Sequence, residues 1–144
     1  VTVKTLQQSV LKALYDAYRA DQSAGSPYAL TGGRWYVGWA RPDAERPFIV
    51  AELLDEREDS TFDAPGARVS VMLWVWADAD DVQAALRVSD ALRTLFSHAT
   101  LSFAGGDYTQ YVTIDTRVGT VSGPVRRDDL AVAGRGLTAI VQEV

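Results

Sequence analysis

From Arg68 to Trp76 the chain reads RVSVMLWVW. A strand buried on one side alternates apolar and polar positions. Here one parity is Val69, Val71, Leu73 and Val75, and the other is Ser70, Met72, Trp74 and Trp76. Both faces are apolar. The pattern extends over Ala67–Ala77, a strand of about 35 Å and well beyond the usual five or six residues. Such a strand needs cover on both sides.

The flanking patterns supply cover for one side. Thr5 to Arg19 reads as an amphipathic helix, with Leu6, Val10, Ala13, Leu14 and Ala17 at helical spacing. DQSAGSPY and Thr31-Gly32-Gly33 are turn signals. Arg34–Ala40 reads as a strand with Trp35, Val37 and Trp39 on one face, and Arg41–Pro47 as a loop. Phe48–Leu54 is a second strand, and Asp55–Gly66 a charged loop. After the long strand, Asp78, Asp80 and Asp81 open a helix, since Asp accepts from free N–H groups at a helix start. Its expected stripe is Val82, Ala85, Leu86, Leu92, Leu95 and Phe96. Tyr111–Val121 and Val132–Val144 read as an antiparallel hairpin around the loop SGPVRRDDL.

The order α-β-β-β-α-β-β predicts an α+β fold. The expected sheet is antiparallel or mixed, of about five strands, with two main helices packed on one face. At 144 residues one domain over 1–144 is expected. Val69, Val71, Leu73 and Val75 should pack under the helices. The other parity must meet a second layer or a neighbouring subunit. Apolar surface of that extent marks an interaction site, and Trp and Met are enriched at such sites. Met72, Trp74 and Trp76, with Trp35 and Trp39, are therefore the expected subunit or partner interface.

Composition adds mainly exclusions. The chain has no cysteine, so disulfides and thiolate metal sites are excluded. Net charge is −5, and no basic run interleaves with aromatics, so nucleic-acid binding by charge is not expected. No apolar run reaches membrane-spanning length and no signal pattern opens the chain, so it reads as soluble, with no membrane partner. His98 has no motif around it and reads as a helix-end or surface residue. Asp78, Asp80 and Asp81 lack the mid-loop glycine and terminal Glu of a calcium loop. Gly105-Gly106-Asp107 and Gly134-Arg135-Gly136 lack phosphate-loop spacing; the first is a turn, and the second sits inside a strand, where glycine marks a bulge or a close backbone approach. Arg126-Arg127 is cancelled locally by Asp128-Asp129. No catalytic residue, metal ligand or cofactor is expected. The uneven feature is the acidic loop, where Asp55, Glu56, Glu58, Asp59 and Asp63 face Arg57 alone. It is either a solubilising tip or a loop that meets a partner or lines a space where negative charge is useful.

The run RPFIVAELLDEREDSTFDAPGARVSVMLWVWADADDVQAALRVSDALRTLF, Arg46–Phe96, resembles the tail-completion, or tail-terminator, proteins of long-tailed bacteriophages. The likeness lies in an order of features. A helix near the start is followed by an Arg-Pro-Phe entry into an apolar strand. A polar loop, the long apolar strand, an Asp-rich cap with an Ala/Leu helix and a late hairpin complete it. The resemblance implies a virion component without enzymatic activity, assembled in the host cytoplasm. It implies a homo-hexameric ring capping the head-proximal end of the tail tube, ending tube growth and joining the head. Its partners would be the tail tube protein and a head-completion or connector protein, with DNA passing through the channel without specific binding. Asp55, Glu56, Glu58, Asp59 and Asp63 would then contact the tail tube or line the channel, where negative charge lets DNA slide. Two alternatives stand beside it. One is another ring protein of the neck, such as a head-completion or tail-tube protein. The other is a small-ligand-binding α+β protein with a Trp-lined pocket.

Overall fold

In the computed structural model the doubly apolar segment is a central strand of one mixed sheet. The structure describes residues 6–41, 43–58, 66–97, 99–102, 111–127 and 129–143. Among them the elements are α1 (Leu6–Ala20), α2 (Pro27–Thr31), β1 (Trp35–Val37), β2 (Phe48–Glu58), β3 (Gly66–Asp78), α3 (Val82–Phe96), β4 (Thr100–Ser102), β5 (Tyr111–Arg127) and β6 (Leu130–Glu143). The sheet order is β1-β2-β3-β6-β5-β4. β1 runs parallel to β2, and the other neighbours are antiparallel. The α+β reading holds, with a sixth short strand (β4) and a short helix (α2) added. His98, Asp59, Asp63, Gly105-Gly106-Asp107 and Asp128 lie outside the described residues.

Val69, Val71, Leu73 and Val75 are fully buried. They join Val10 and Leu14 of α1 and Val88 and Leu92 of α3 in one core. The aliphatic parity thus faces the helices. α1 ends its stripe on Tyr18 rather than Ala17. The Tyr18 ring is fully buried. Its hydroxyl meets Thr31 Oγ1, and the Thr31 hydroxyl donates onward to the Pro27 carbonyl at 2.7 Å. Thr31 has spent its proton, so Tyr18 is the donor of the pair. Burial pushes the phenol up to about 12.

α2 occupies part of the segment read as turn. Ser26 caps it, its side chain accepting from Ala29 N at 3.1 Å, with Pro27 at the first helical position. Gly32 closes it at φ 61. A Ser-Pro start and a left-handed glycine end are the expected helix signals.

α3 is rotated from the expected stripe. Its buried residues are Ala85, Val88, Ser89, Leu92 and Phe96, while Val82 and Leu86 are exposed. The cause lies beneath it. Arg135 of β6 is buried under α3 and its Nε–H donates to the Ser89 carbonyl at 3.3 Å. Small Ser89 facing the sheet leaves room for the guanidinium. Desolvation, aided by nearby Arg93, lowers the Arg135 pKa. Asp81 alone caps α3, accepting from Ala84 N at 3.1 Å.

Two strands outrun their expected limits. β2 continues through Asp55–Glu58, because the ladder to β3 continues: Asp55 pairs with Ser70 and Glu58 with Ala67, after a bulge at Leu54. β5 takes in SGPVRR, most of the expected loop. An irregularity between Ser122 and Val125 absorbs Gly123 and Pro124, after which Val125 pairs again with Val132. Gly123 sits at φ +87, and a Cβ there would lie 2.7 Å from the Val132 carbonyl oxygen. Only glycine fits this bulge.

Candidate functional site

The face of the sheet away from the helices carries the other parity of β3. Met72, Trp74 and Trp76 are half-buried there. The ladders place Phe48 and Val50 of β2 beside them, with Val132 of β6 and Val125 of β5 beyond. Among the described residues no helix covers this side. Its cover is the β1–β2 connection. Two parallel neighbouring strands need a crossover, and this one brings Trp39, Arg41 and Ala44 over Trp74 and Trp76. Between loop and sheet lies a cleft of about 480 Å³.

Each wall has a local cause. Gly38, at φ 83, turns the chain off the sheet edge, and its N–H donates to the Ala51 carbonyl at 2.9 Å. Trp39 then stands 82% exposed on the loop. Arg46 clasps the loop's return. Its guanidinium bonds Asp78 Oδ1 at 2.9 Å and Asp129 Oδ2 at 3.1 Å. It thereby ties the loop to the end of β3 and to the β5–β6 turn. The Asp78 carboxylate, with Asp129, holds Arg46 above its ordinary pKa. Asp78 is therefore an ion-pair partner, not part of the α3 cap.

On the floor, Trp76 stacks with Phe48 at 6.4 Å and 15°, and Tyr36 meets Phe48 edge-on. Trp74 Nε1–H donates to Glu52 Oε2 at 2.9 Å. Its ring lies over Gly134, where a Cβ would come within 2.8 Å of the indole. Of the two readings of the Gly-Arg-Gly run, a bulge or a close approach, the structure shows the close approach. Arg135 between the glycines points to the opposite face.

Of the expected interface residues, Met72, Trp74, Trp76 and Trp39 come to one face. Trp35 does not. Trp35 and Val37 share the helix-side face beside α1, but β1 is only three residues long and Trp39 leaves that face. Trp35 packs on the helix side, 4.7 Å from the Tyr18 ring. Asp55, Glu56 and Glu58 belong to β2, not to a loop, and Glu56 accepts from Gln7 Nε2 at 2.7 Å.

Sequence reasoning missed Arg46, Glu52 and Arg127 at the cleft. Phe48 and Val50 were legible from strand parity, but the clasp by Arg46 depends on pairings between distant segments. The cleft has an apolar floor, arginines at its rim, and one carboxylate already engaged by an indole. That suits burial of an apolar side chain flanked by acids. Among the described residues no group of three or more acidic or histidine side chains gathers as a metal site. No helix among them is long and apolar enough to cross a membrane.

Comparison with known proteins bears on this arrangement. Residues 12–127 match the model of the family described as "Tail completion protein gp17". No curated protein matches the chain in sequence. Among solved structures, a chain from the "Virion of native gene transfer agent (GTA) particle" is similar, with 20% identity and a TM-score of 0.70, over 96% of this chain and 98% of that one. A second solved chain, without a functional description, aligns at 18% identity and a TM-score of 0.60, over 96% and 94% of the two chains. At these identities the structures speak to the fold.

Proposed function

Because the chain belongs to the tail completion protein gp17 family, and is thus a structural protein of a phage tail, we propose that it is a tail terminator. Copies close into a homo-hexameric ring on the head-proximal end of the tail tube. The ring stops tube growth and offers its other face to a head-completion or connector protein. DNA crosses its channel without specific binding, and the chain has no catalytic task. The observation that carries this reading is the tryptophan face. Trp74, Trp76 and Trp39 are apolar surface that, among the described residues, one loop alone covers, and a head-to-tail ring contact covers such surface in every copy.

The volume of the cleft favours one other reading, a site for a small apolar ligand. Sedimentation velocity separates the two. The ring reading expects a single hexameric species that Trp74→Ser with Trp76→Ser converts to folded monomer. Trp39→Ser, at an exposed position, should weaken the ring without touching the melt. A wild-type monomer that takes up a small hydrophobe would overturn the proposal.

A further inference from the structure

The tryptophan cleft and the outer face of α3 lie on opposite sides of the sheet. α3 adds Val88 and Leu92 to the core that holds Leu73 and Val75 of β3, and its Ser89 carbonyl takes the Nε–H of Arg135 on β6. It therefore lies behind β3 and β6, the strands that present Trp74, Trp76 and Val132 on the front. Its start also lies at the cleft's end of the sheet. β3 ends at Asp78, the Ala79 N–H donates to the Asp129 carbonyl at 2.9 Å, and α3 begins at Val82. Trp76, Arg127 and Leu130 line the cleft at that same end.

The rotation of α3 leaves an apolar pair on its outer face. Val82 and Leu86 are exposed, and four residues apart they are neighbours on the helix surface. Acids bound the pair. Asp80 and Asp81 precede it and Asp90 follows one turn beyond Leu86, all three exposed. The cleft is the complement of this row, with aromatic rings on its floor and arginines at its rim. Arg46 is engaged by Asp78 and Asp129. Arg127 is exposed. Arg41 makes an exposed pair with Asp43 at 3.4 Å, a contact of little worth in water. Arg41 and Arg127 can thus turn to acids arriving from outside.

Placement selects α3 over another exposed aliphatic pair. Leu53 and Leu54 also stand near acids, but on β2 itself, beside Glu52 of the cleft. Two patches side by side cannot face two different neighbours. The cleft and the outer face of α3 can, because they point opposite ways at one end of the sheet. A rotation about an axis near the strand direction brings the back of one copy onto the cleft of the next at the same height. A two-fold contact pairs each patch with its own equivalent, whereas front against back is heterologous and closes into a ring.

We propose that the outer face of α3 in one copy covers the tryptophan cleft of the next. Val82 and Leu86 lie against Trp39, Trp74 and Trp76, and Asp80 and Asp81 turn towards Arg41 and Arg127. The sheet is then held between its own helices and a neighbour's. This rests on the ring reading above and names the surface that completes its contact. Val82→Ser with Leu86→Lys, at exposed positions, should weaken assembly by on the order of tenfold or more in sedimentation velocity, with an unchanged circular dichroism spectrum. A cross-link locates the contact. The chain has no cysteine of its own, so Leu86→Cys and Ala44→Cys, the latter in the loop over the cleft, can be joined by a short bis-maleimide. The two single variants co-expressed should give covalent dimers, and neither expressed alone should. One chain carrying both substitutions should give a ladder of products up to the closed ring. If the Val82→Ser, Leu86→Lys variant assembles like wild type, or the co-expressed pair gives no more dimer than either variant alone, the α3 contact is overturned and the ring reading stands. A wild-type chain that never assembles overturns the ring reading itself, and this contact with it.

Discussion

The two faces of β3 are built from neighbouring residues yet have different fates. Val69, Val71, Leu73 and Val75 disappear under α1 and α3. The larger side chains between them, Met72, Trp74 and Trp76, stay half-exposed. Burial of a strand residue is thus decided by which layer the rest of the chain supplies, not by its own hydrophobicity. The helices supply a full layer on one side. A single connection supplies a partial one on the other. Hydrophobicity left over after folding is what the chain has available for partners.

The sharpest test of that contrast is truncation on either side of one peptide bond. Leu73→Ala empties the core and should cost about 2–5 kcal/mol in urea unfolding. Met72→Ala removes a half-exposed side chain and should cost under about 1 kcal/mol. Equal costs would erase the distinction between the faces. A smaller effect is expected from Gly134→Val. The new side chain collides with the Trp74 ring, and the overpacking should cost about 1–3 kcal/mol, with the emission of the displaced indole shifting to longer wavelength. Unchanged fluorescence would mean that Trp74 does not rest on Gly134. A modest effect is expected from Tyr18, on the helix side. Tyr18→Phe keeps the packing and loses one hydrogen bond, at about 1 kcal/mol. Its pH signature is more telling. The folded phenol holds its proton up to about 12, above the ordinary value near 10. The folded state therefore binds that proton more tightly. Stability should be full below about pH 10 and fall as pH rises through about 12. Tyr18→Phe should flatten that fall. An ultraviolet titration in which all tyrosines ionise together near pH 10 would contradict the buried placement.

Much of the fold was legible because its signals are local. The spacing of Val10, Ala13 and Leu14, the parity of β3 and the Asp81 cap each act within a few residues. The limits of β2 and β5 were not, because charged and glycine-proline segments enter strands when a neighbouring ladder holds them. Asp55 and Glu56 are extended by pairing with Ser70 and Val69, and no local rule announces that. The rotation of α3 likewise depends on Arg135, far along the chain. On the candidate site, Trp74 and Trp76 followed from parity. Trp35 lies on the helix face because it pairs with Ile49, and Trp39 reaches the other face because the strand stops at Val37, before Gly38. The clasp of Arg46 on Asp78 and Asp129 joins three separate segments and leaves no trace in any one of them.

The ladder between β3 and β6 has a consequence for the order of events in folding. Gly66 pairs with Gln142 and Asp78 with Leu130, so the middle of the sheet joins segments far apart along the chain. The flanking hairpins, β2–β3 and β5–β6, are local and close early, while distant pairings are slow. The centre is then the last seam to zip. Until it does, neither hairpin has both of its edges in final form. Trp74 and Trp76 meet Gly134 and Val132 only once the seam is shut, so the tryptophan face is complete only when folding is.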